Sequence, residues 1–215
     1  MPDDGTITAA QARDLAAWLH GDQTDFGGQP YLSHLDAVAA NLGTDASDAD
    51  RRTAYLHDTL EDVSVTDPDG SVRRLSPLEL AGYGVPDDDI RVIALVTRDP
   101  DRERALPALE GESPRDRKDR AYFAKTRSII DSGEPLHIRL RAIRLKKADN
   151  RHNSDPSRDR FLRPDQLPRA AALRRRYATN LALLDAGEAM LTGQAADPGH
   201  AIAMTVGFVP MPNRA

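Results

Sequence analysis

The stretch "AYLHDTLEDV", residues 54–63, holds an imidazole and three carboxylates, His57, Asp58, Glu61 and Asp62, within six positions. Leu56, Leu60 and Val63 run through it at core-like spacing. On a helix, positions four apart share a face, so His57 stands above Glu61 and Asp58 above Asp62. The vicinal pair is offset by ~100°, yet both side chains can converge on a point outside the groove between them. Such a cluster is either a solvated face or a shell around a positive charge. An imidazole and carboxylate set suits a borderline divalent ion such as Mn, Fe or Zn. Two ligands rarely hold a metal. His34, mid-helix in "PYLSHLDAV", and Asp149, near the end of an apolar and basic helix in "KKADNRHN", are the candidates to complete a two-His, two-Asp site.

The chemistry of such a site is coherent on its own terms. A divalent cation lowers the pKa of bound water and neutralises phosphoryl charge. A nearby carboxylate, Glu61 or Asp62, can accept the proton or orient the water. Lys146, Lys147 and Arg151 flank Asp149, and Arg158 follows, so cations are at hand to balance phosphates. Lys118 and Tyr122 are candidates to meet phosphate or base, or else a surface Lys and a core-edge Tyr. Tyr177 follows the run Arg174–Arg176, which reads as a solvated helix face from which the Tyr can reach a pocket. His137 and His152 read as surface or structural residues, and His20 as a residue favouring the negative end of a helix dipole. Gly27 and Gly28 serve a turn; the residues around them lack the Lys and spacing of a phosphate-binding loop.

These residues must be positioned by helices. Apolar residues recur at helical spacing almost everywhere, and strand-like alternation is scarce. "TAAQARDLAAWLHG" predicts a first helix with Leu15, Trp18 and Leu19 on one face. Pro30 can open a second that stops at Gly43. Ser47 can cap a third, which contains the opening stretch. Residues 64–74 read as a turn-rich connection. "SPLE" at 76–79 is a capping box with Pro at the first helical position. "DDDIRVIALVT" starts with acids suited to a helix N-terminus. Residues 98–117 read as an exposed loop. "RKDRAYFAKTRSIIDSG" and "PLHIRLRAIRLKKADNRHN" predict two more helices, 154–165 a loop, and 166–191 a long last helix. The expectation is an all-α, irregular helical bundle over residues 1–192, with a C-terminal tail at 193–215.

Bulk composition narrows the partners. The chain has 215 residues, 40 % hydrophobic and 29 % charged, with no cysteine and a net charge of -5. It can bury a proper core without staples, and disulfides and thiolate metal sites are excluded. The acidic balance, and a basic stretch at 139–151 without interleaved aromatics, argue against nucleic acid as a partner. No apolar run approaches the ~18 residues of a membrane span, and the N-terminus has no signal core. A cytoplasmic protein without a membrane partner is expected; the oligomeric state is not legible.

The order His, His-Asp, Asp resembles the HD superfamily of metal-dependent phosphohydrolases. Within it, "GGQPYLSHLDAVA", "AYLHDTLEDVSVT", "IRVIALVTR" and "LKKADNRHN" are similar to the hydrolase domain of Rel/SpoT enzymes and their small alarmone-hydrolase relatives, over about residues 12–185. The resemblance implies an HD-type helical fold and one divalent metal, usually Mn. It implies His34, His57, Asp58 and Asp149 as ligands, and Glu61 and Asp62 as the pair that positions and deprotonates the attacking water. Asn153, otherwise a helix C-cap, would touch the substrate sugar. The implied reaction is removal of the 3′-pyrophosphate from guanosine tetra- or pentaphosphate. The chain departs from that pattern after its first helix. Gln23, Thr24 and Asp25 stand where Rel-type sequences are basic, and Phe26 is the residue able to stack on a base. A phosphorylated nucleotide is therefore the expected substrate. A general nucleotide phosphatase and a non-catalytic nucleotide-sensing module are the alternatives.

Overall fold

Helices begin where the sequence supplies a hydroxyl. Thr8, Ser47, Ser76 and Ser113 each accept the backbone N–H of the residue three positions on, satisfying a donor that the first helical turn leaves open. The computed structural model describes residues 5–194. In order these form α1 (Ala9–His20), α2 (Tyr31–Asn41), α3 (Asp48–Leu56), α4 (Thr59–Asp62), a hairpin of β1 (Ser64–Thr66) and β2 (Val72–Arg74), α5 (Pro77–Gly82) and α6 (Asp87–Val96). Then follow α7 (Pro100–Ala105), α8 (Pro114–Ile130), α9 (Leu136–Asn153), two short 3-10 turns (Pro156–Phe161 and Pro164–Gln166) and α10 (Leu167–Leu191). The architecture is an all-α helical bundle carrying one two-stranded antiparallel hairpin in which Val65 pairs with Arg73.

Helix α9 is the central strut. Its Ile138, Ala142, Ile143, Leu145 and Ala148 are buried against Val38 of α2, Val92 and Val96 of α6, Ile129 and Ile130 of α8, and Leu183 and Leu184 of α10. A second core joins Ala12 and Ala16 of α1 to Leu35, Leu56, Leu80, Ile90 and Ile93. Tyr55 packs against both. The buried carboxylate of Asp89 locks α3, α6 and α9 together. It accepts from Arg52 Nε at 2.7 Å and from Arg141 Nη2 at 2.5 Å, so two guanidinium groups keep a partner inside.

Several elements differ from the sequence expectation. The most buried residues of α1 are Ala9, Ala12, Ala16 and His20; Leu15 and Leu19 pack half-buried against the same core as expected, whereas Trp18 is 67 % exposed and meets Tyr83 edge-on. Small residues let α1 approach α3 closely, and the large ones lie at the rim. Residues 64–74 form the hairpin rather than a bare connection, because "DPDG" at 67–70 turns the chain sharply, with Gly70 at φ +85°. Residues 98–117 contain α7 and the first turn of α8, which Ser113 and Pro114 open. Residues 154–165 wind into the two 3-10 turns.

The third helix is not continuous through the opening stretch. It ends at Leu56, and Asp58 adopts φ -97° and ψ -1° before α4 begins. The expected tail at 193–215 lies, from residue 195 on, outside the described residues. Among the described residues no helix is long and apolar enough to cross a membrane.

Candidate metal centre

The break after Leu56 turns two consecutive side chains toward α2 and α9. His57 is fully buried, and its Nδ1 lies 2.8 Å from the carbonyl oxygen of Ala54, one turn back in α3. Donation to that carbonyl leaves Nε2 as the ring's free face. Nε2 lies 3.0 Å from Asp58 Oδ2 and 4.0 Å from Asp149 Oδ1. Neither is placed to share a hydrogen bond, so a buried nitrogen is left without a partner. His34, from the middle of α2, brings its Nε2 to 3.5 Å from Asp58 Oδ2 and 3.6 Å from Asp149 Oδ1. His34, His57 and Asp149 are all buried, and each offers one atom within 4.8 Å of the others. Buried nitrogens and carboxylate oxygens gathered this closely are a donor set for a divalent ion, and a buried ring nitrogen with no hydrogen-bond partner is an atom such an ion, once the proton leaves, can satisfy.

The carboxylates of this cluster are held charged. Asp149 resists burial through Lys146, whose ammonium donates to Oδ2 at 2.8 Å, while Asn153 donates to Oδ1. Burial works to raise the pKa of Asp149, and Lys146 with the two imidazoles brings it below the ordinary value. Asp58 is likewise pushed well down, against its burial, by His57 and His34. The Tyr31 hydroxyl donates to Asp58 Oδ2 at 2.5 Å and stands 3.1 Å from Asp62 Oδ2. Burial, and then the neighbouring Asp58 charge, raise the Tyr31 pKa, so it stays a donor.

The acidic pair lies beside the cluster in a different electrostatic setting. Burial raises the pKa of both Glu61 and Asp62, and the Asp58 charge adds to each. Glu61 is aimed by the backbone N–H of Arg98, which donates to Oε2 at 3.0 Å. One pair of carboxylates is thus fixed as anions and the next is made more basic. That separation is the usual mark of distinct acid-base roles.

An open pocket of about 190 Å³ brings these groups together. Its walls include Phe26, His34, Asp58, Glu61, Asp62, Tyr122, Lys146, Asp149, Asn153, Arg158 and Tyr177. His57 sits behind its wall against Asp58, and three cations read from the sequence as phosphate partners do not line it: Lys118, Arg151, and Lys147, which pairs instead with Asp185 and Glu188 of α10. Their roles are not all free ones. Lys146 is committed to Asp149. The Tyr122 hydroxyl donates to Asn150 Oδ1 at 2.7 Å, so the Tyr presents its ring rather than its oxygen. Arg158 donates to Asp25 Oδ2 at 2.7 Å and Asn153 Oδ1 at 2.9 Å. Phe26 carries the guanidinium of Arg169 over its ring at 4.8 Å.

Sequence reasoning passed over four residues of the site. Tyr31 precedes His34 by three, and His152 follows Asp149 by three, so helical spacing placed each on the ligand's face. Asp25 holds Arg158 through a loop contact across 133 positions, which spacing does not reveal. Arg98 acts on Glu61 through its backbone N–H, a group every non-proline residue carries.

No protein-family model matches this chain, and no curated protein matches it either.

Proposed function

We propose that the protein is a metal-dependent phosphohydrolase acting on a phosphorylated nucleotide, of the HD type that its motifs resemble. The observation that carries this reading is the shared pocket. One atom from each of His34, His57 and Asp149 lies within 4.8 Å of the others, Asp58 Oδ2 stands 3.5 and 3.0 Å from the two imidazole Nε2 atoms, and Glu61 and Asp62 open onto the adjoining space. Those four residues would hold one divalent ion, with manganese the metal that the resemblance implies. Such an ion, when bound, supplies charge neutralisation at phosphorus and acidifies water.

The chain's own groups do the remainder. Glu61, held by the Arg98 N–H and made more basic by burial, accepts the proton of the attacking water. Asp62, 3.1 Å from the Tyr31 hydroxyl, opens onto the same pocket and helps orient that water. Lys146 and Asn153 keep the Asp149 carboxylate aimed. The rings of Phe26, Tyr122 and Tyr177 offer apolar walls to the organic part of the substrate.

The resemblance implies release of pyrophosphate from guanosine tetra- or pentaphosphate. Release of a single phosphate is the second form, favoured by the carboxylate partners of the pocket's cations. A nucleotide sensor that does not cleave would have little use for the acidic pair, and both members are present. The test is a screen of manganese-loaded protein against guanosine tetraphosphate and a nucleotide panel, with phosphate and pyrophosphate measured separately. Metal-dependent release of either supports the reading. A protein that binds manganese and releases neither defeats it.

A further inference from the structure

Among the described residues three cations line the pocket, and each is already engaged by a carboxylate. Arg98 donates to both oxygens of Glu103, at 2.7 and 2.6 Å. Lys146 lies 2.8 Å from Asp149 Oδ2, and Arg158 lies 2.7 Å from Asp25 Oδ2. Asp25 is not free to swing away, because its Oδ1 accepts the Gly27 and Gln29 N–H groups at 2.8 and 2.9 Å. Asp25, Asp58, Glu61, Asp62 and Asp149 put five carboxylates on the same walls. A divalent ion therefore brings the lining to neutrality and leaves no surplus of positive charge.

The Arg158–Asp25 pair is half-buried and Asp25 is pinned by backbone donors, so an incoming polyanion recruits Arg158 only by leaving the Asp25 carboxylate without its cation. A terminal phosphate monoester carries about -1.5 to -2 near pH 7; a nucleoside with a diphosphate at each end carries several times that. Beside Arg158 the space continues into a mostly apolar annex walled by Phe26, Phe161, Leu162, Leu173 and Tyr177. There Gly27 is the close point. A Cβ on it would stand 3.2 Å from Phe161 Cβ, so any side chain would narrow the annex.

We propose that this site takes a phosphate monoester with an aromatic organic part, a nucleoside monophosphate in class, in preference to a nucleotide bearing two diphosphates. The inference rests on the phosphohydrolase reading and sharpens its substrate. The aromatic part enters the annex and the single phosphate faces Asp58 and Asp149. Water's oxygen bonds to phosphorus, the ester P–O bond breaks, and Glu61 takes a proton from the water. The departing alkoxide takes a proton from solvent, and Glu61 returns the one it accepted to solvent, giving a nucleoside and inorganic phosphate with no net change at the protein.

The experiment titrates manganese-loaded Glu61→Gln protein with adenosine and guanosine monophosphates and with guanosine tetraphosphate by calorimetry, alongside turnover of the same compounds by the wild type. Tighter binding of a monophosphate, by tenfold or more, is expected. Asp25→Asn removes the carboxylate that holds Arg158, and Glu103→Gln removes the nearer of the two that hold Arg98, whose Nη1 also lies 3.6 Å from Glu61 Oε1. Either variant, once its thermal melt shows it folded, should bring the tetraphosphate affinity up at least fivefold. Preference for the tetraphosphate in the Glu61→Gln protein overturns the inference and leaves the phosphohydrolase reading standing. Failure to bind or hydrolyse any of the compounds, with manganese bound, overturns both.

Discussion

His34 Nδ1 lies 2.7 Å from His152 Nδ1, two ring nitrogens sharing one proton. Burial, and then the neighbouring His34, push the His152 pKa down to about 4, so His152 is the neutral acceptor. His34 therefore donates from Nδ1 and turns its Nε2 toward Asp58 and Asp149. A partner on the far nitrogen fixes both the tautomer and the ring orientation of a metal-binding histidine.

Replacing His152 with Ala should consequently weaken manganese binding by about 10- to 100-fold without removing any ligand. Competition with a fluorescent chelator measures this. Unchanged affinity would make the His34–His152 contact incidental.

Asp58 and Glu61, three positions apart, should separate cleanly on substitution. Asp58→Ala opens the ligand set and abolishes ion binding, read by elemental analysis after dialysis. Glu61→Gln keeps the ion and lowers turnover by about 10²- to 10⁴-fold, the usual range for a lost general base. A fully active Glu61→Gln protein would remove that residue from the chemistry. Because burial raises the Glu61 pKa, the rising limb of the wild-type pH–rate profile should lie above the ordinary glutamate value.

Binding of the ion should also be linked to protons. In the ion-free protein, burial works against charging His57, but the Asp58 carboxylate outweighs it and lifts the imidazole to about 9. An ion must displace that proton. Affinity should therefore rise with pH and level off above about 9. Proton release near neutral pH is measurable by calorimetry in buffers of different ionisation enthalpy. The stability of the ion-free protein runs the other way. A raised folded-state pKa contributes fully below the ordinary histidine value of about 6.5, and this contribution is lost as pH climbs through about 9.

Gly187 of α10 is the point where that helix meets α8. A Cβ there would stand 2.4 Å from Ile130 Cδ1 and 2.6 Å from its Cγ1, and Ile130 is fully buried. Gly187→Ala should therefore lower stability by about 1–3 kcal/mol through overpacking, partly offset by about 1 kcal/mol of helix propensity. A denaturant melt reads the loss, and Ile130→Ala, which removes both clashing carbons, should destabilise the Gly187→Ala chain less than it destabilises the parent.

Much of this was legible in the residues themselves. Helical periodicity located nearly all the long helices, and hydroxyl caps such as Ser47 and Ser76 marked their starts. His34, Asp58, Asp149 and the acidic pair line one pocket with His57 behind it, a proximity that motif order along the chain could only propose. Pairing was not legible. Arg158 and Lys146 read as free cations, whereas Asp25 and Asp149 hold them. A contact between residues 25 and 158 exists only after the first loop folds over the 3-10 turn that follows α9. Trp18 and the alanine face of α1 mislead for another reason. Hydrophobicity ranks side chains by size, while a close helix crossing selects small ones. His152 read as a surface residue because one histidine near a helix end carries no sign of what lies above it.

The interruption after Leu56 has a further consequence. Helix α4 is a single turn, Thr59–Asp62, closed by the Asp62 and Val63 N–H groups onto the Asp58 and Thr59 carbonyls. The angular phase between His57–Asp58 and Glu61–Asp62 is therefore stored in four residues. One residue inserted among them would swing the second pair by ~100°, out of the cavity, whereas the same insertion at the hairpin tip near Gly70 would leave that phase untouched. Chain length between residues 58 and 61 is thus as strict a requirement as the identity of the side chains at its ends.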